Sequence, residues 1–258
     1  MTISEAYSAT GAAWRDGAER VYQRLADLLV EASPIPLAGE LVVDVGAGTG
    51  AASKAILRAG GRPVGLDLAD GMLRVDQPER PPAAVADARH LPFASSSCAA
   101  VVAAFCFNHL PDADQALADA ARVVRPGGVV LVSAYAEGDD HAVKGAVEAA
   151  VTELGWTAEP WIGEIRAESI PMLATADRAL AVATRAGVDA TAEAITVPFP
   201  DLSPPDLVAW RLGMAQVAPF VASLSDAARR QLASRVLDLL GPDPEPLVRR
   251  IIILTART

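Results

Sequence analysis

The chain has 258 residues, 52% of them hydrophobic and 5% aromatic, with a formal net charge of −10. That length suits one large α/β domain burying roughly three quarters of its unfolded surface, and excludes little else by itself. The acidic balance makes nucleic acid and anionic membrane surfaces poor partners, because an acidic chain gains nothing from releasing their counterions.

The basic pairs Arg229-Arg230 and Arg249-Arg250 are isolated and form no patch. The longest apolar run, residues 98–107, is shorter than the ~20 residues a bilayer span needs. Met1-Thr2-Ile3-Ser4-Glu5-Ala6 lacks a basic region followed by an apolar stretch, so a soluble cytoplasmic protein is expected. Cys98 and Cys106 flank a predicted buried strand without CxxC spacing. Two reduced thiols and no metal site are the expectation.

In chain order, residues 5–32 read as one amphipathic helix with Tyr7, Trp14, Tyr22 and Leu25 among its apolar positions. Ser33-Pro34-Ile35-Pro36 ends it. Residues 41–45 are a first buried strand, and 51–58 a helix stopped by Gly60-Gly61. A second strand over 63–68 carries Asp67 near its end, and a short helix starts at 71–75. A proline-rich stretch, 77–82, leads to a third strand at 83–86. A fourth strand covers 99–105, a helix 112–124, a turn 125–128 and a fifth strand 129–134. Beyond Tyr135 come helices at 141–154 and 176–186, with 156–169 ambiguous. A sixth strand is placed at 195–199, a broken helical stretch at 203–240 and a final strand at 248–255. The alternation predicts an α/β fold with a doubly wound, mostly parallel sheet.

Ligands of such sheets sit at the carboxyl ends of the strands, near the point where strand order reverses. Three features fall there. Gly46-Ala47-Gly48-Thr49-Gly50 follows the first strand, where glycines permit close approach and expose amides at a helix start. Taken alone, with Ala51 as its last position, this turn also fits a dinucleotide fingerprint. Asp67 could accept hydrogen bonds from both hydroxyls of a ribose in either reading. Asp87 could accept from an adenine amino group, with the Ala88 amide reading the ring; alternatively it caps a turn.

The segments VVDVGAGTG, VGLDLADGML, ADARHLPF and VVRPGGVVLVS, in that order and spacing, resemble the class I S-adenosylmethionine-dependent methyltransferases. The resemblance covers residues 38–136, and more loosely the final strand and SPPDLVAW. It implies a Rossmann-like methyltransferase fold of seven strands with helical lid elements, and S-adenosylmethionine rather than a nicotinamide as cofactor. Gly46, Ala47 and Gly48 would face the methionine part and ribose. Asp67 would hold the ribose hydroxyls, Leu68 and Met72 would pack on adenine, and Asp87 and Ala88 would read its edge. The Phe105 carbonyl would meet the amino group, and Asp44 would support the turn and the ammonium. The chain departs from the family at Ser97-Cys98-Ala99-Ala100, where relatives commonly carry an acid.

The implied organisation is a single methyltransferase domain, 1–258. It has an N-terminal helical lid at 1–35, a cofactor-binding core at 36–136, acceptor-side helical insertions at 137–175 and 200–240, and a final strand at 245–258. His109, after the fourth strand, is the candidate general base, since an unperturbed imidazole titrates near neutrality. Tyr7, Trp14 and His141 are candidate acceptor-binding residues, and Trp156, Trp161, Trp210 and Met214 are weaker ones. His90 is read as structural. The expected partner is a small molecule, with a homodimer left open. The expected reaction is O-methylation of a secondary metabolite by direct displacement. Two other readings keep the fold: a non-methylating cyclisation or isomerisation, and a non-catalytic module that only binds the cofactor.

Overall fold

The computed structural model describes residues 1–77 and 79–258, so Pro78 of the proline-rich stretch lies outside the described residues. Seven strands form one sheet: β1 Leu41–Val45, β2 Arg62–Asp67, β3 Ala83–Val85, β4 Cys98–Ala104, β5 Val124–Tyr135, β6 Asp189–Phe199 and β7 Leu247–Arg257. Their order is β3-β2-β1-β4-β5-β7-β6. β1 to β5 run parallel, and β7 is antiparallel to both of its neighbours. The sheet is therefore α/β and mostly parallel, as the alternation predicts. The chain winds outward from β1 through β2 to β3, then returns to lay β4 on the other side of β1. Strand order thus reverses between β1 and β4, where a crevice opens.

Apolar residues alternate between two cores because successive side chains in a strand point to opposite faces. Val42, Val102, Leu131 and Ile253 belong to one core. Val43, Val101, Val132 and Ile252 belong to the other. The first is covered by α3 Glu19–Glu31, α4 Ala51–Arg58, α7 Ala142–Glu153, α10 Pro204–Leu212 and α12 Asp226–Leu240. The second is covered by α6 Ala113–Val123 and α9 Ala176–Ala186. Trp156, Trp161, Trp210 and Met214 are buried in the first core, which accounts for their apolar character without an acceptor pocket.

Three boundaries differ from expectation. The turn at 125–128 is instead a bulge inside β5: Val124 pairs with Cys98 and Val129 with Ala100, so extra residues loop out without ending the strand. β6 begins at Asp189 rather than 195, because it pairs with β7 along its whole length. Its outer side is an edge, so its first residues are largely solvated and give little apolar signal.

The third difference is at the N-terminus. The single helix over 5–32 is four pieces: α1 Ile3–Ser8, α2 Gly11–Ala13, a π-helical turn Trp14–Ala18, and α3. Thr10 turns its hydroxyl back onto the Ala6 carbonyl at 2.6 Å, a bond that competes with helix propagation. The break seats α1 against α5 Asp70–Leu73. This contact admits no side chain: a Cβ on Gly71 would lie 2.0 Å from the Ser8 carbonyl oxygen. Gly71→Ala is expected to lift α1 off α5 and lower stability by ~1–3 kcal/mol, as overpacking does. Limited proteolysis should then cut within residues 1–18 first; an unchanged pattern and Tm would show that the contact is dispensable.

Ambiguous residues 156–169 hold α8 Pro160–Glu164 and a π-helical turn Ile165–Ser169, followed by a 3-10 turn Ile170–Leu173. α11 Ala218–Ser223 links α10 and α12. Among the described residues, no helix is long and apolar enough to cross a membrane.

Candidate active site

The carboxyl ends of β1, β2 and β4 enclose a cavity of about 1150 Å³, its open mouth included. Its walls include Gly46, Ala47, Gly48, Asp67, Leu68, Met72, Asp87, Ala88, Phe105 and His109 from the core, and Tyr7, Trp14 and Tyr22 from the N-terminal helices.

The turn after β1 is anchored by two amides: Gly46 and Ala47 both donate to the Leu66 carbonyl, at 2.8 and 2.9 Å. Gly46 has φ +71° and stands against the loop after β4, where a Cβ would meet that of Cys106 at 2.5 Å. Only glycine meets both demands. Asp67 braces the two neighbouring loops. It accepts from the Gly48 amide and the Ala69 amide, each at 2.8 Å. Burial pushes its pKa up, while those amides and the nearby Arg80 charge oppose the shift.

Asp44 lies behind the turn and is absent from the cavity wall. Its carboxylate is fully buried, accepts from the Ser53 hydroxyl at 2.6 Å, and leaves Oδ1 without a partner. Burial raises its pKa to about 6.

Two arginines that sequence reasoning passed over shape this wall. Arg80 sends Nη1 to the carbonyls of Gly48, Leu73 and Met72, at 3.0, 3.1 and 3.3 Å. It ties the glycine turn to α5 and sets a positive charge near Asp44 and Asp67. No local pattern announces it, because its partners come from two other loops. Arg89 grips Asp87 through its amide at 2.9 Å and its guanidinium at 2.7 Å. That contact holds the Asp87 carboxyl below its usual range and keeps it an acceptor. Ser53 and Glu19 were also missed. Glu19 accepts from the Thr49 hydroxyl at 2.7 Å and pairs with Lys54, tying α3 to the turn.

Phe105 directly follows β4 with φ +55°, a strained conformation for a non-glycine residue. Its ring packs with Tyr22 at 5.4 Å and Tyr135 at 4.5 Å. Trp14 continues the row, 4.6 Å from Tyr22 and 5.8 Å from Tyr7. The N-terminal segment is fastened over the mouth by the Ser4 hydroxyl, which donates to the Leu68 carbonyl at 3.1 Å.

His109 sits at the end of a 3-10 turn, Phe107–His109, facing the lid. The Tyr7 hydroxyl lies 3.3 Å from its Nε2. Burial drives the His109 pKa down to about 4. His141 is elsewhere. It caps α7, accepting the Val143 amide at 3.2 Å through Nδ1, with Nε2 2.8 Å from the Glu245 carbonyl. The sequence placed it on the acceptor side because it opens a post-core helix; that opening turn faces the strand-end loop before β7, away from the cavity.

Comparison with known proteins bears on this architecture. A family model described as "Methyltransferase domain" matches residues 43–132. A demethylmenaquinone methyltransferase of Thermobifida fusca is 33% identical over 52% of this chain and 58% of its own. One from Renibacterium salmoninarum is 34% identical over 66% of this chain and 68% of its own. The chain thus spans little more than half the length of the first of these relatives. The methyltransferase in a complex with the Trm112 activator of Haloferax volcanii shares the fold. Its TM-score is 0.59, with 21% identity, covering 97% of this chain and 96% of its own. With a relative 34% identical over 68% of its own length and a methyltransferase-domain model matching residues 43–132, the chain belongs to the class I S-adenosylmethionine-dependent methyltransferases, and S-adenosylmethionine is its cofactor.

Proposed function

We propose that this chain transfers a methyl group to a small acceptor with an apolar body, bound between the strand ends and the Tyr7–Trp14–Tyr22 lid. The observation that carries the proposal is the single cavity in which the glycine turn, Asp67, Phe105 and His109 meet that aromatic row.

The residues present fit the cofactor. Asp67 spends one lone pair of each oxygen on backbone amides, leaving others for ribose hydroxyls. Leu68 is an apolar side chain 52% exposed at the cavity, cover that an adenine ring would complete. Asp87, held ionised by Arg89, remains able to accept from an amino group. The orphaned Oδ1 of Asp44 would answer a positive charge near the turn. When bound, the cofactor supplies a methyl on a sulfonium centre with an excellent leaving group. What remains for the chain is alignment and exclusion of water, which alone can contribute several kcal/mol.

His109 is poorly matched to strong base catalysis. With a pKa near 4 it is neutral at pH 7 and a weak proton acceptor. We assign it to orienting Tyr7 and the acceptor by hydrogen bonding. The acceptor would then be one that ionises readily by itself, such as a phenol or an enolisable carbon. O-methylation of a secondary metabolite is one form of that chemistry. A relative from Ralstonia pickettii, named a ubiquinone/menaquinone biosynthesis C-methyltransferase, favours the carbon form.

Isothermal titration tests the cofactor reading: no heat with S-adenosylmethionine at high micromolar concentration would sink it. Mass and NMR analysis of methylated product distinguishes an O-methyl from a C-methyl group. His109→Ala is expected to lower kcat about tenfold, short of the ~10²–10⁴-fold of a lost general base, and to leave cofactor affinity intact. The wild-type kcat profile should show no inflection near 6.5, and one there would restore His109 as the base. The native pKa lies below the unfolded value, so the native state binds fewer protons between about pH 6.5 and 4. His109's stabilising contribution is therefore complete above about 6.5 and is lost as pH falls through 4.

A further inference from the structure

The cavity has a charge character as well as a shape. The N-terminal helices give it Ile3, Tyr7, Trp14, Tyr22 and Ala26, none of which carries a formal charge. Its carboxyl groups are Asp67 and Asp87, and among the described residues no lysine or arginine lines it. Arg80 and Arg89 stand outside the wall. Their guanidinium groups are spent on the carbonyls of Gly48, Leu73 and Met72 and on the Asp87 carboxylate.

Two groups in the wall respond to this arrangement. The Tyr7 hydroxyl is held protonated well above its ordinary range, by burial first and by the Asp67 charge next. The Cys106 thiol is pushed up in the same way, by burial first and then by Asp67, Asp44 and Asp87. A negative charge is therefore opposed at two separate points of the cavity, by the same two causes. A carboxylate or phosphate on the acceptor would lose its hydration there and find no counter-ion in the wall.

The hydroxyls of the wall are not equally available. Ser4 and Thr49 commit their protons to the Leu68 carbonyl and the Glu19 carboxylate. Tyr7 is held by His109 instead, with its oxygen 3.3 Å from Nε2 and the two rings 5.7 Å apart, edge to face. His109 is neutral at pH 7, so a single hydrogen joins the pair. If Nε2 accepts it, the Tyr7 oxygen keeps both lone pairs; if Nε2 donates it, one lone pair remains. In either tautomer the Tyr7 oxygen can accept from a further O–H group, whereas an ether oxygen would find a donor in only one of them.

Resting on the acceptor cavity proposed above, we propose that Tyr7 determines acceptor specificity: its oxygen accepts from an uncharged hydroxyl of the acceptor, and molecules that carry a carboxylate or phosphate are refused. The hydroxyl is read where His109 fixes the Tyr7 side chain, and the apolar body lies against the uncharged residues of the N-terminal helices. A hydroxyl on a ring serves the oxygen and the carbon forms of the transfer alike, so this selection precedes the choice between them.

The test uses the full chain saturated with S-adenosylhomocysteine and compares three ligands of one shape. These are 2-naphthol, its anionic counterpart 6-hydroxy-2-naphthoate, and 2-methoxynaphthalene, which lacks the O–H. 2-Naphthol is expected to bind at least about tenfold tighter than either of the others, the scale of one net hydrogen bond or one uncompensated charge. Tyr7→Phe keeps the ring and removes only the oxygen. It should bring 2-naphthol down to the affinity of 2-methoxynaphthalene, leave the refusal of the naphthoate in place, and hold S-adenosylhomocysteine affinity within about threefold. Equal binding of the naphthoate, equal binding of the methyl ether, or undiminished 2-naphthol binding by Tyr7→Phe would overturn the assignment. Naphthalene binding without these preferences defeats the role of Tyr7 alone; S-adenosylhomocysteine binding with none of the three ligands bound defeats the acceptor cavity, and the assignment with it.

Discussion

Asp67→Ala is expected to weaken cofactor binding by about 100-fold or more, measured by isothermal titration with S-adenosylhomocysteine. Two losses combine. The carboxylate no longer accepts from the ribose hydroxyls, and charge-assisted bonds of that kind contribute ~1.5–3 kcal/mol each. The Gly48 and Ala69 amides also lose their acceptor, so the two loops that shape the cavity are no longer braced against each other. Asp67→Asn should recover part of the affinity, since its carbonyl still accepts from one amide while its NH2 group opposes the other. The fold should survive both changes, because the sheet beneath is held by apolar burial. Unchanged affinity in Asp67→Ala would show that the ribose lies elsewhere.

The largest effect on stability should come from Asp139→Ala. The Asp139 and Arg249 side chains are 1% and 2% exposed, and the carboxylate also accepts the Arg250 amide at 2.8 Å. Removing it leaves Arg249 charged and uncompensated between two aromatic rings. Breaking such a pair costs about 3–5 kcal/mol. At ~2–4 °C per kcal/mol for a chain of this size, Tm should fall by roughly 6–20 °C in a thermal melt followed by circular dichroism. Adding Arg249→Met should restore most of the loss, because the orphaned charge goes with it. A single variant that melts like the wild type would mean that water, not Asp139, satisfies Arg249.

The core architecture was legible because each of its signals is local. The apolar runs at Leu41–Val45 and Cys98–Ala104 could only be buried strands, since both faces of a parallel sheet are covered. Gly46, Asp67 and Asp87 stood out because each sits at or just past the carboxyl end of a strand, and strand ends converge on one crevice. His109 was legible as a position but not as a chemical group. Its depressed pKa comes from burial beneath Tyr7, a residue about a hundred positions away, and no sequence pattern reports the depth of a side chain. His141 was misplaced for the converse reason: a helix start looks the same whichever way its first turn faces.

The sequence by itself determined the alternating elements, the mostly parallel sheet, and which strand-end residues meet at one cavity. These follow from periodicity and turn chemistry within a few residues. Only the tertiary structure decided which charges meet. Arg80 under the glycine turn, Glu19 tying α3 to Thr49, and Asp139 holding Arg249 each join segments far apart in the chain. Pairing and burial of that kind depend on where the fold brings distant side chains, and a carboxylate or guanidinium carries no mark of its partner until it does.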